Sequence, residues 1–369
     1  MLNLIYGFEW REARCGTGLG LRLSGAVVAG YLLFPARFGR FGLAYPTIVK
    51  DKKMRHIMKR GLWLIVVGLL SFQYSFSETN TVFDFLRNDV SPRAAALAGS
   101  FVTVTGDPNS LFYNPAGMST LETPMGSIGF FKHLLDINAG YLSFSMPYED
   151  LGYFGAGIVY TNYGTFDQTD DLGNTLSSFS ASDFALTLGY SNIVEDNIHV
   201  GINVKFIYSS IASYTSTGLA GDFGILYAIP DSKVTLGASV RNIGTQLKSY
   251  MSTKEDLPLD FAVGASVIPR GLPLLLNLNF HKLNEDQDTF TDRFRAFTVG
   301  GEFTLSKVLQ ARVGFDNEKR KDLKVGTSSG LAGFSGGVGI TVNEYKVDYS
   351  LSSLGSIGNL HRISIGTSF

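Results

Sequence analysis

Apolar side chains alternate with polar or small ones through most of this chain, from about residue 121 to its last residue. The pattern divides into some fourteen segments of roughly ten residues each. Ile202 and Val204, for example, alternate with Asn203 and Lys205. Successive side chains of a β-strand point to opposite faces, so a barrel wall between lipid and a wet or plugged lumen requires this alternation. The sequence therefore predicts an all-β fold, an antiparallel transmembrane β-barrel of about 14 strands over residues 121–369.

The links between the predicted strands differ in length with their position. Links after even-numbered strands are short and most links after odd-numbered strands are long, although the first of these, 133–136, is short. Bacterial outer-membrane barrels have short periplasmic turns and longer external loops. We therefore expect a multi-pass barrel of a bacterial outer membrane. The predicted strands are 125–131, 137–146, 152–162, 183–191, 197–208, 218–229, 233–243, 259–268, 273–281, 294–305, 308–315, 331–341, 345–351 and 360–369, and the longest predicted links are 163–182, 244–258, 282–293 and 316–330.

The amino-terminal region carries a predicted secretory signal. The apolar run 61–72 is too short to span a bilayer. Arg55, Lys59 and Arg60 precede it, and Ser75 and Ser77 follow it at signal-peptidase spacing. We therefore expect a signal peptide over residues 54–77 and a mature chain that begins near Glu78. Beyond residue 77 no apolar run is long enough for a membrane helix.

Residues 1–53 do not fit this arrangement, because a signal peptide should begin the protein. Met54 is followed by basic residues and is a better initiator than Met1. We interpret residues 1–53 as an extension that results from a wrongly assigned start codon. The alternative is a genuine basic cytosolic segment ahead of the signal peptide. The only cysteine, Cys15, lies in this extension. Without residues 1–77 the chain keeps 20 basic and 29 acidic residues, a net charge of about −9, which excludes a nucleic-acid binder.

Residues 78–120 do not alternate and contain three turn motifs. These are an Arg- and Ala-rich turn from Arg93, an Asp107-Pro108 turn, and the box Asn114-Pro115-Ala116. Together they resemble the inserted hatch of long-chain fatty-acid outer-membrane transporters of the FadL type. Near the carboxy terminus, residues 345–349, 354–359 and 361–364 resemble the PorV/PorQ branch of that superfamily. The resemblance covers residues 85–369.

The resemblance implies a fourteen-stranded barrel with an amino-terminal hatch, residues 78–120, in its lumen. It also implies passive uptake of hydrophobic small molecules, long-chain fatty acids first. The ligand would be captured from outside, the hatch would shift, and the ligand would leave through the wall or the periplasmic end. The expected partners are such a ligand, outer-membrane lipid and the outer-membrane insertion machinery. The hatch residues would be Arg93, Asp107, Asn114, Pro115 and Ala116.

Two other functions stay open at this point. One is a secretion or assembly scaffold like the PorV/PorQ branch, and the other is a surface antigen or adhesin without a ligand. The external loops are short and leave little room for the apolar capture groove of the fatty-acid transporters that the chain resembles. A lumen lined by Phe, Leu and Met would favour transport, whereas polar pairs with a protruding loop would favour the scaffold.

No catalytic, metal or cofactor site is expected. The histidines of the predicted barrel, beginning with His133 and His199, lack metal-ligand spacing. No Ser and His motif suggests nucleophilic catalysis. We therefore expect a protein that is not an enzyme.

Basic residues in the polar register of the predicted strands are candidate ligand anchors. Facing lipid would cost each about 2 to 4 kcal/mol near mid-bilayer, so they should face the lumen. They could pair with Asp107, Glu302, Asp348 or carbonyl groups of the hatch and serve only to hold the hatch in place, or one or two could bind an acyl carboxylate. The candidate ligand-binding residues are Lys205, Arg241, Arg295, Arg312 and Arg362, and Lys346 shares their register.

The last residue, Phe369, is a predicted assembly signal. Outer-membrane barrels of this kind commonly end in an aromatic residue that the insertion machinery recognises. Ile363, Ile365 and Thr367 share its register, so the final strand presents an apolar face that ends in an aromatic ring.

Overall fold

Strand pairing closes the sheet completely in the computed structural model, which describes residues 81–170, 172, 174–285, 292–324 and 330–369. Each strand pairs antiparallel with its sequence neighbours, and β14 pairs with β1. The predicted fourteen-stranded antiparallel barrel is thus confirmed. The predicted extension 1–53 and signal peptide 54–77 lie outside the described residues. The strands are β1 (Met125–Lys132), β2 (Asn138–Tyr148), β3 (Gly152–Thr169), β4 (Thr175–Glu195), β5 (Ile198–Ile211), β6 (Tyr214–Ala228), β7 (Val234–Lys248), β8 (Asp260–Val267), β9 (Leu274–Phe280), β10 (Phe297–Thr304), β11 (Leu309–Asp316), β12 (Phe334–Val342), β13 (Tyr345–Ser353) and β14 (Asn359–Ser368).

The two faces of the wall have the environments that the alternation predicts. On β5, Ile202 and Val204 are 53% and 56% exposed, whereas Asn203 and Lys205 are 3% and 5% exposed. The apolar residues of the alternating pattern therefore face outward, and the polar residues face the lumen. Such an outward apolar band, with a polar interior, is what a barrel surrounded by lipid needs.

Aromatic side chains mark both rims of the outward face. At one end of the barrel, Phe280, Phe297, Phe315 and Phe334 stand side by side on β9 to β12, with successive ring centroids 5.0 to 6.4 Å apart. At the other end Phe369 lies 6.2 Å from Phe144, centroid to centroid. Girdles of aromatic residues at the two membrane interfaces are typical of transmembrane barrels.

The two ends are named here by their links. Links after even-numbered strands are all short and lie at the turn end, as predicted. Links after odd-numbered strands lie at the loop end, and only 249–259, 281–296 and 317–333 are long there. The helix α2 (Asn317–Asp322) lies in the last of these, and short 3₁₀ helices occupy Glu149–Leu151, Asp292–Arg295 and Gly355–Ile357.

The predicted long link 163–182 is wrong, because β3 and β4 continue through most of it. A bulge between Asn162 and Thr165 interrupts the pairing, which then resumes as far as Thr169 opposite Thr175. Phe166 and Phe179 stack across this hairpin with centroids 5.4 Å apart. Both faces of the extension are largely exposed, so solvent on both sides removes the apolar and polar alternation while the backbone pairing persists. Similarly, β7 extends to Lys248 in what was predicted as the link 244–258.

Residues 81–121, called here the inner segment, pass through the lumen from the loop end to the turn end. Thr81 pairs with Asp256 in the loop-end link 249–259, and Leu121 precedes β1 at the turn end. The segment contains α1 (Pro92–Ala96) and 3₁₀ helices at Asp84–Arg87, Pro108–Phe112 and Pro115–Thr120. No helix in the described part of the chain is long and apolar enough to cross a membrane.

Three of these helices begin in the same way, with a capping side chain followed by proline. Ser91, Asp107 and Asn114 each accept a hydrogen bond from a backbone N–H of the first turn. Proline at the next position has no N–H to satisfy and already has a helical φ. The turn motifs recognised in the sequence are therefore helix starts, and they bend the inner segment into a compact path.

Glycine lines the wall at many of the points where the inner segment approaches it most closely. A Cβ built on Gly201 would lie 2.3 Å from the carbonyl carbon of Pro115, and one on Gly314 would lie 2.5 Å from the nitrogen of Ala98. Only glycine permits so close an approach of backbone to a strand. The same holds, against atoms of the inner segment, for Gly155, Gly157, Gly189, Gly218, Gly224, Gly237, Gly300 and Gly337.

Candidate functional site in the barrel lumen

The Asn114-Pro115-Ala116 box fixes the inner segment to the middle of the wall. Asn114 Oδ1 accepts a hydrogen bond from Ala116 N, 3.1 Å away. Its Nδ2 donates to Val102 O at 2.8 Å and to Ile225 O on β6 at 3.2 Å. One fully buried amide therefore closes the local turn and bonds to the wall at the same time.

A buried ion network joins the inner segment to β10, β11 and β13. Arg93 donates to both oxygens of Glu302, at 2.8 and 2.7 Å, and to Asp107 Oδ2 at 3.0 Å. Arg312 donates to Glu302 Oε2 at 2.6 Å and to Asp348 Oδ1 at 2.5 Å. We call Arg93, Asp107, Glu302, Arg312 and Asp348 the central ion network. Each charge in it has a partner of opposite sign, which offsets the cost of burial.

The two members of this network in the inner segment are held ionised. Burial acts to lower the pKa of Arg93, but attraction to Glu302 and Asp107 outweighs it and raises that pKa. Burial acts to raise the pKa of Asp107, but the charges of Arg93 and Lys346 and two hydrogen bonds lower it overall. Arg93 and Asp107 therefore form a permanent ion pair at neutral pH.

Two further candidate anchors also have acidic partners. Lys205 Nζ lies 2.9 Å from Asp222 Oδ1, and Arg241 donates to Asp260. Lys205, Arg241 and Arg312 all face the lumen, as predicted, and each is paired within the wall. This pairing is what the structural alternative of the sequence analysis predicts for them.

Arg295 does not face the lumen, so that prediction was wrong. The strand expected over 294–305 begins only at Phe297. Arg295 instead ends a 3₁₀ helix at the loop end, where its side chain is 65% exposed and lies 2.7 Å from Asp292 Oδ1. The alternation of polar and apolar residues predicts which way a side chain points only within a strand, and Arg295 lies before the strand begins.

An apolar cleft opens at the loop end beside residues 81–90, which we call the strap. Phe85, Leu86 and Val90 of the strap form one side of the cleft, and Val159 and Ala185 of the wall form the other. The remaining lining residues are Asn88, Phe112, Tyr113, Thr187 and Lys205. The cleft has room for about one water molecule, so a larger ligand requires movement.

Apolar side chains continue from this cleft toward the turn end. Phe112 lies against Gly157, and Leu111 and Met118 lie against Gly155 and Gly189, so they follow β3 and β4 down the lumen. We call Phe112, Leu111 and Met118 the apolar column. The lumen therefore has one apolar side, along β3 and β4, and one ionic side, along β10 to β13.

Several residues that build the site were not among the predicted ones. Tyr113 accepts a hydrogen bond from Val90 N at 2.9 Å, and Ser119 Oγ lies 2.7 Å from His199 Nδ1. Asp89 and Lys319 approach to 3.5 Å. The alternation of β-strands could not reveal them, because most lie in the inner segment or in a link. Phe369 N donates to Pro124 O at 2.9 Å, and its role in assembly stays a prediction.

Comparison with solved structures identifies the fold. The toluene transporter TbuX of Ralstonia pickettii superposes with a TM-score of 0.53 at 12% identity, over 76% of this chain and 98% of that one. The toluene transporter TodX of Pseudomonas putida superposes with a TM-score of 0.52 at 14% identity, over 78% of this chain and 98% of that one. A FadL homologue of Pseudomonas aeruginosa superposes with a TM-score of 0.51 at 12% identity, over 76% of this chain and 98% of that one.

The chain has the fold of FadL-type transporters. At these identities the similarity concerns the fold alone. No protein-family profile and no curated protein sequence matches the chain. The structural neighbours are transporters and channels rather than enzymes, and membership of the PorV/PorQ branch stays a prediction.

Proposed function

We propose that this protein takes up hydrophobic small molecules passively across a bacterial outer membrane, with long-chain fatty acids as the first candidates. The observation that carries the proposal is the apolar column, which continues the loop-end cleft toward the turn end along glycine-lined strands. An apolar ligand can replace contacts between apolar side chains without leaving a charge or a hydrogen-bonding group unpaired. It could not replace the central ion network in this way.

The fold supports the proposal, since hydrocarbon transporters have the same barrel. In the uptake cycle we infer, the strap lifts, the ligand enters the cleft, and the inner segment shifts away from β3 and β4. Arg93, Asp107, Asn114, Pro115 and Ala116 act as the hatch residues that hold the segment to the rest of the wall. Movement is required because the closed lumen is filled.

Uptake into vesicles tests this proposal. The purified barrel is reconstituted, and entry of a fluorescent long-chain fatty acid is compared with entry of a small sugar. Leu111→Ala widens the apolar column and should raise fatty-acid entry. Leu97→Ala is the matched control, since Leu97 is equally buried but packs against Gly300 on the ionic side. Each substitution costs about 2 to 5 kcal/mol of stability, so stability alone cannot account for a difference in flux.

Equal flux in the two variants would contradict a path along the column. Absence of uptake of every apolar probe, in the wild type and in both variants, would remove the transport assignment altogether.

A scaffold is the second candidate, and the projecting β3–β4 hairpin favours it. This hairpin extends past the pairing partners of both strands, which end at Asn138 opposite Asn162 and at Ile211 opposite Ala181. Its tip exposes Leu172 and Leu176. Removing residues 165–180 should leave uptake unchanged but abolish association with partner proteins if the barrel is a scaffold. Unchanged association after that deletion would reject this candidate.

A further inference from the structure

Asp183 on β4 differs from the other carboxylates that face the lumen. It is only 8% exposed, yet no lysine, arginine or histidine of the described residues lies within 4 Å of its carboxylate. A buried charge without a partner of opposite sign is costly, so this carboxylate requires an explanation. The lumen-facing carboxylates that do have a lysine or arginine within 4 Å are those of Asp107, Asp222, Asp260, Glu302 and Asp348.

Hydroxyl groups position the Asp183 carboxylate in the closed barrel. Tyr163, at the base of the β3–β4 hairpin, donates to Oδ2 at 2.7 Å, and Ser209 on β5 donates to Oδ1. Tyr250, in the loop-end link 249–259, donates in turn to Ser209. A carboxylate can accept about four hydrogen bonds, so about half of this capacity remains. The hydroxyl groups orient Asp183 but bring no positive charge to it.

The carboxylate lies on the loop-end side of the apolar cleft, on the same inward face of β4. Ala185 and Thr187 line the cleft, and Asp183 is the next inward residue toward the loop end. Two residues of a strand span about 7 Å. Ala185 is paired with Val159, which also lines the cleft, and with the fully buried Ile207. An alkyl chain among these side chains would therefore place its head group near Asp183.

Two cations of the lumen are engaged elsewhere. Lys205 lines the cleft deeper in the barrel, and its Nζ lies 2.9 Å from Asp222 Oδ1. Arg362 on β14 is 5% exposed and donates to the backbone carbonyl of Asp89 at 3.1 Å and to Ser352 Oγ at 3.3 Å. The β4 side of the cleft entrance therefore carries a negative charge without a neighbouring positive one.

An alkylammonium group would supply what Asp183 lacks. An ammonium group carries one positive charge and three N–H donors, and charge-assisted hydrogen bonds are roughly twice as strong as neutral ones. An alcohol of the same chain length offers a donor without the charge. The two compounds therefore separate the contribution of the carboxylate from that of the apolar cleft.

We propose that Asp183 binds the head group of hydrophobic amines whose alkyl chains occupy the cleft. The inference rests on the proposed uptake function and adds a substrate class to it, apolar molecules with a protonated amino group. The ammonium group pairs with the remaining acceptor sites of Asp183, while Tyr163 and Ser209 keep the carboxylate in place. A fatty acid would have to place its own carboxylate away from Asp183, because like charges repel.

Binding of dodecylamine and dodecan-1-ol to the purified full-length barrel tests the inference. Both compounds are titrated in the same detergent at neutral pH, and calorimetry measures the ratio of their affinities. The wild type should bind the amine more tightly. Asp183→Asn should lower the affinity for the amine about tenfold and leave that for the alcohol unchanged. Asp183→Glu keeps the charge and should keep part of the preference.

Asp167→Asn is the matched control, because it makes the same change at an exposed residue of the projecting hairpin, and it should leave both affinities unchanged. If Asp183→Asn does not fold, Thr161→Lys provides a second comparison. Thr161 is paired directly opposite Asp183, so a lysine there would bring a cation to the carboxylate and should abolish the preference for the amine.

Equal losses for amine and alcohol in Asp183→Asn would mean that Asp183 is structural and would overturn the inference. A preference for the amine that persists in Asp183→Asn, or in Thr161→Lys, would also overturn it. Equal affinities of the wild type for amine and alcohol remove this inference alone, whereas binding of no apolar compound at all removes the proposed uptake function with it.

Discussion

The two sides of the inner segment are held by different forces. On the side of β10 to β13, Arg93 and Asp107 belong to a buried network of paired charges. On the side of β3 and β4, Leu111, Phe112 and Met118 make apolar contacts with glycine-lined strands. Breaking a buried ion pair leaves a charge without a partner, whereas separating apolar groups costs little when an apolar ligand takes their place. The ionic side is suited to act as the hinge, and the apolar side as the path.

Loss of a charge on the ionic side should have the largest effect. Arg312→Gln leaves Glu302 and Asp348 with one fewer cation in a fully buried site and should lower stability by about 3 to 5 kcal/mol. Thermal unfolding of the barrel in detergent measures this. Arg295→Gln, at an exposed pair, should change stability by only about 0 to 1 kcal/mol. Equal effects of the two substitutions would mean that the ionic side is not the stronger attachment.

The Asn114 and Pro115 box lies between the two sides and should have an intermediate effect. Asn114→Ala with Pro115→Ala removes the cap and the amide bonds to Val102 and Ile225. Groups left without a partner cost about 1 to 3 kcal/mol, so residues 81–121 should exchange amide hydrogens faster while the wall stays protected. Entry of a fluorescent fatty acid should rise in parallel. If the wall and the inner segment lose protection together, the two do not behave as separable units.

Acid should weaken the ionic side selectively. The folded-state pKa of Asp107 is lowered, so its ionised form contributes stability above the unfolded pKa of about 4. This contribution is lost as pH falls from there through the lower folded pKa. Unfolding temperatures measured from neutral pH to about pH 3 should therefore fall less steeply in Asp107→Asn than in the wild type. Parallel pH curves for the two proteins would show that Asp107 does not contribute in this way.

Salt should have the smallest effect, and only at the strap. The pairs of Arg87 with Glu285 and of Lys319 with Asp89 are partly exposed, so added salt screens them, while buried pairs are screened much less. Each pair is worth roughly 0 to 1 kcal/mol. Hydrogen exchange of residues 81–90 should therefore accelerate in high salt while that of residues 91–107 does not. If hydrogen exchange accelerated equally in residues 81–90 and 91–107, the strap would not be held differently from the rest of the inner segment.

The sequence predicted the wall better than its contents. Alternation identified all fourteen strands, because every strand is apolar on its outward face. It failed at 163–182, where β3 and β4 project past their neighbouring strands and both faces meet solvent. The alternation of apolar and polar side chains depends on what lies on the two faces of a strand, and not on the pairing of its backbone. It also placed Arg295 in a strand that begins only at Phe297.

The site was predicted only in part. The turns at Asp107 and Asn114 could be recognised in the sequence, because each side chain bonds to the backbone of its immediate neighbours. Partners remote in sequence carry no local signal. Arg93 meets Glu302, and Asp89 meets Lys319, more than two hundred residues away along the chain. Which cation is paired and which is not depends on the closed barrel as a whole.

The positions of the inward-facing glycines follow the inner segment along the wall. At these glycines the wall has no side chain, so part of the path of the segment is recorded in the composition of the strands beside it. Segment and wall are therefore constrained to change together: a bulkier residue in one demands a smaller one in the other. When the segment moves aside, no wall side chain at these positions has to rotate out of the way. Beside these glycines the width of the opened passage is then limited by the backbone of the barrel.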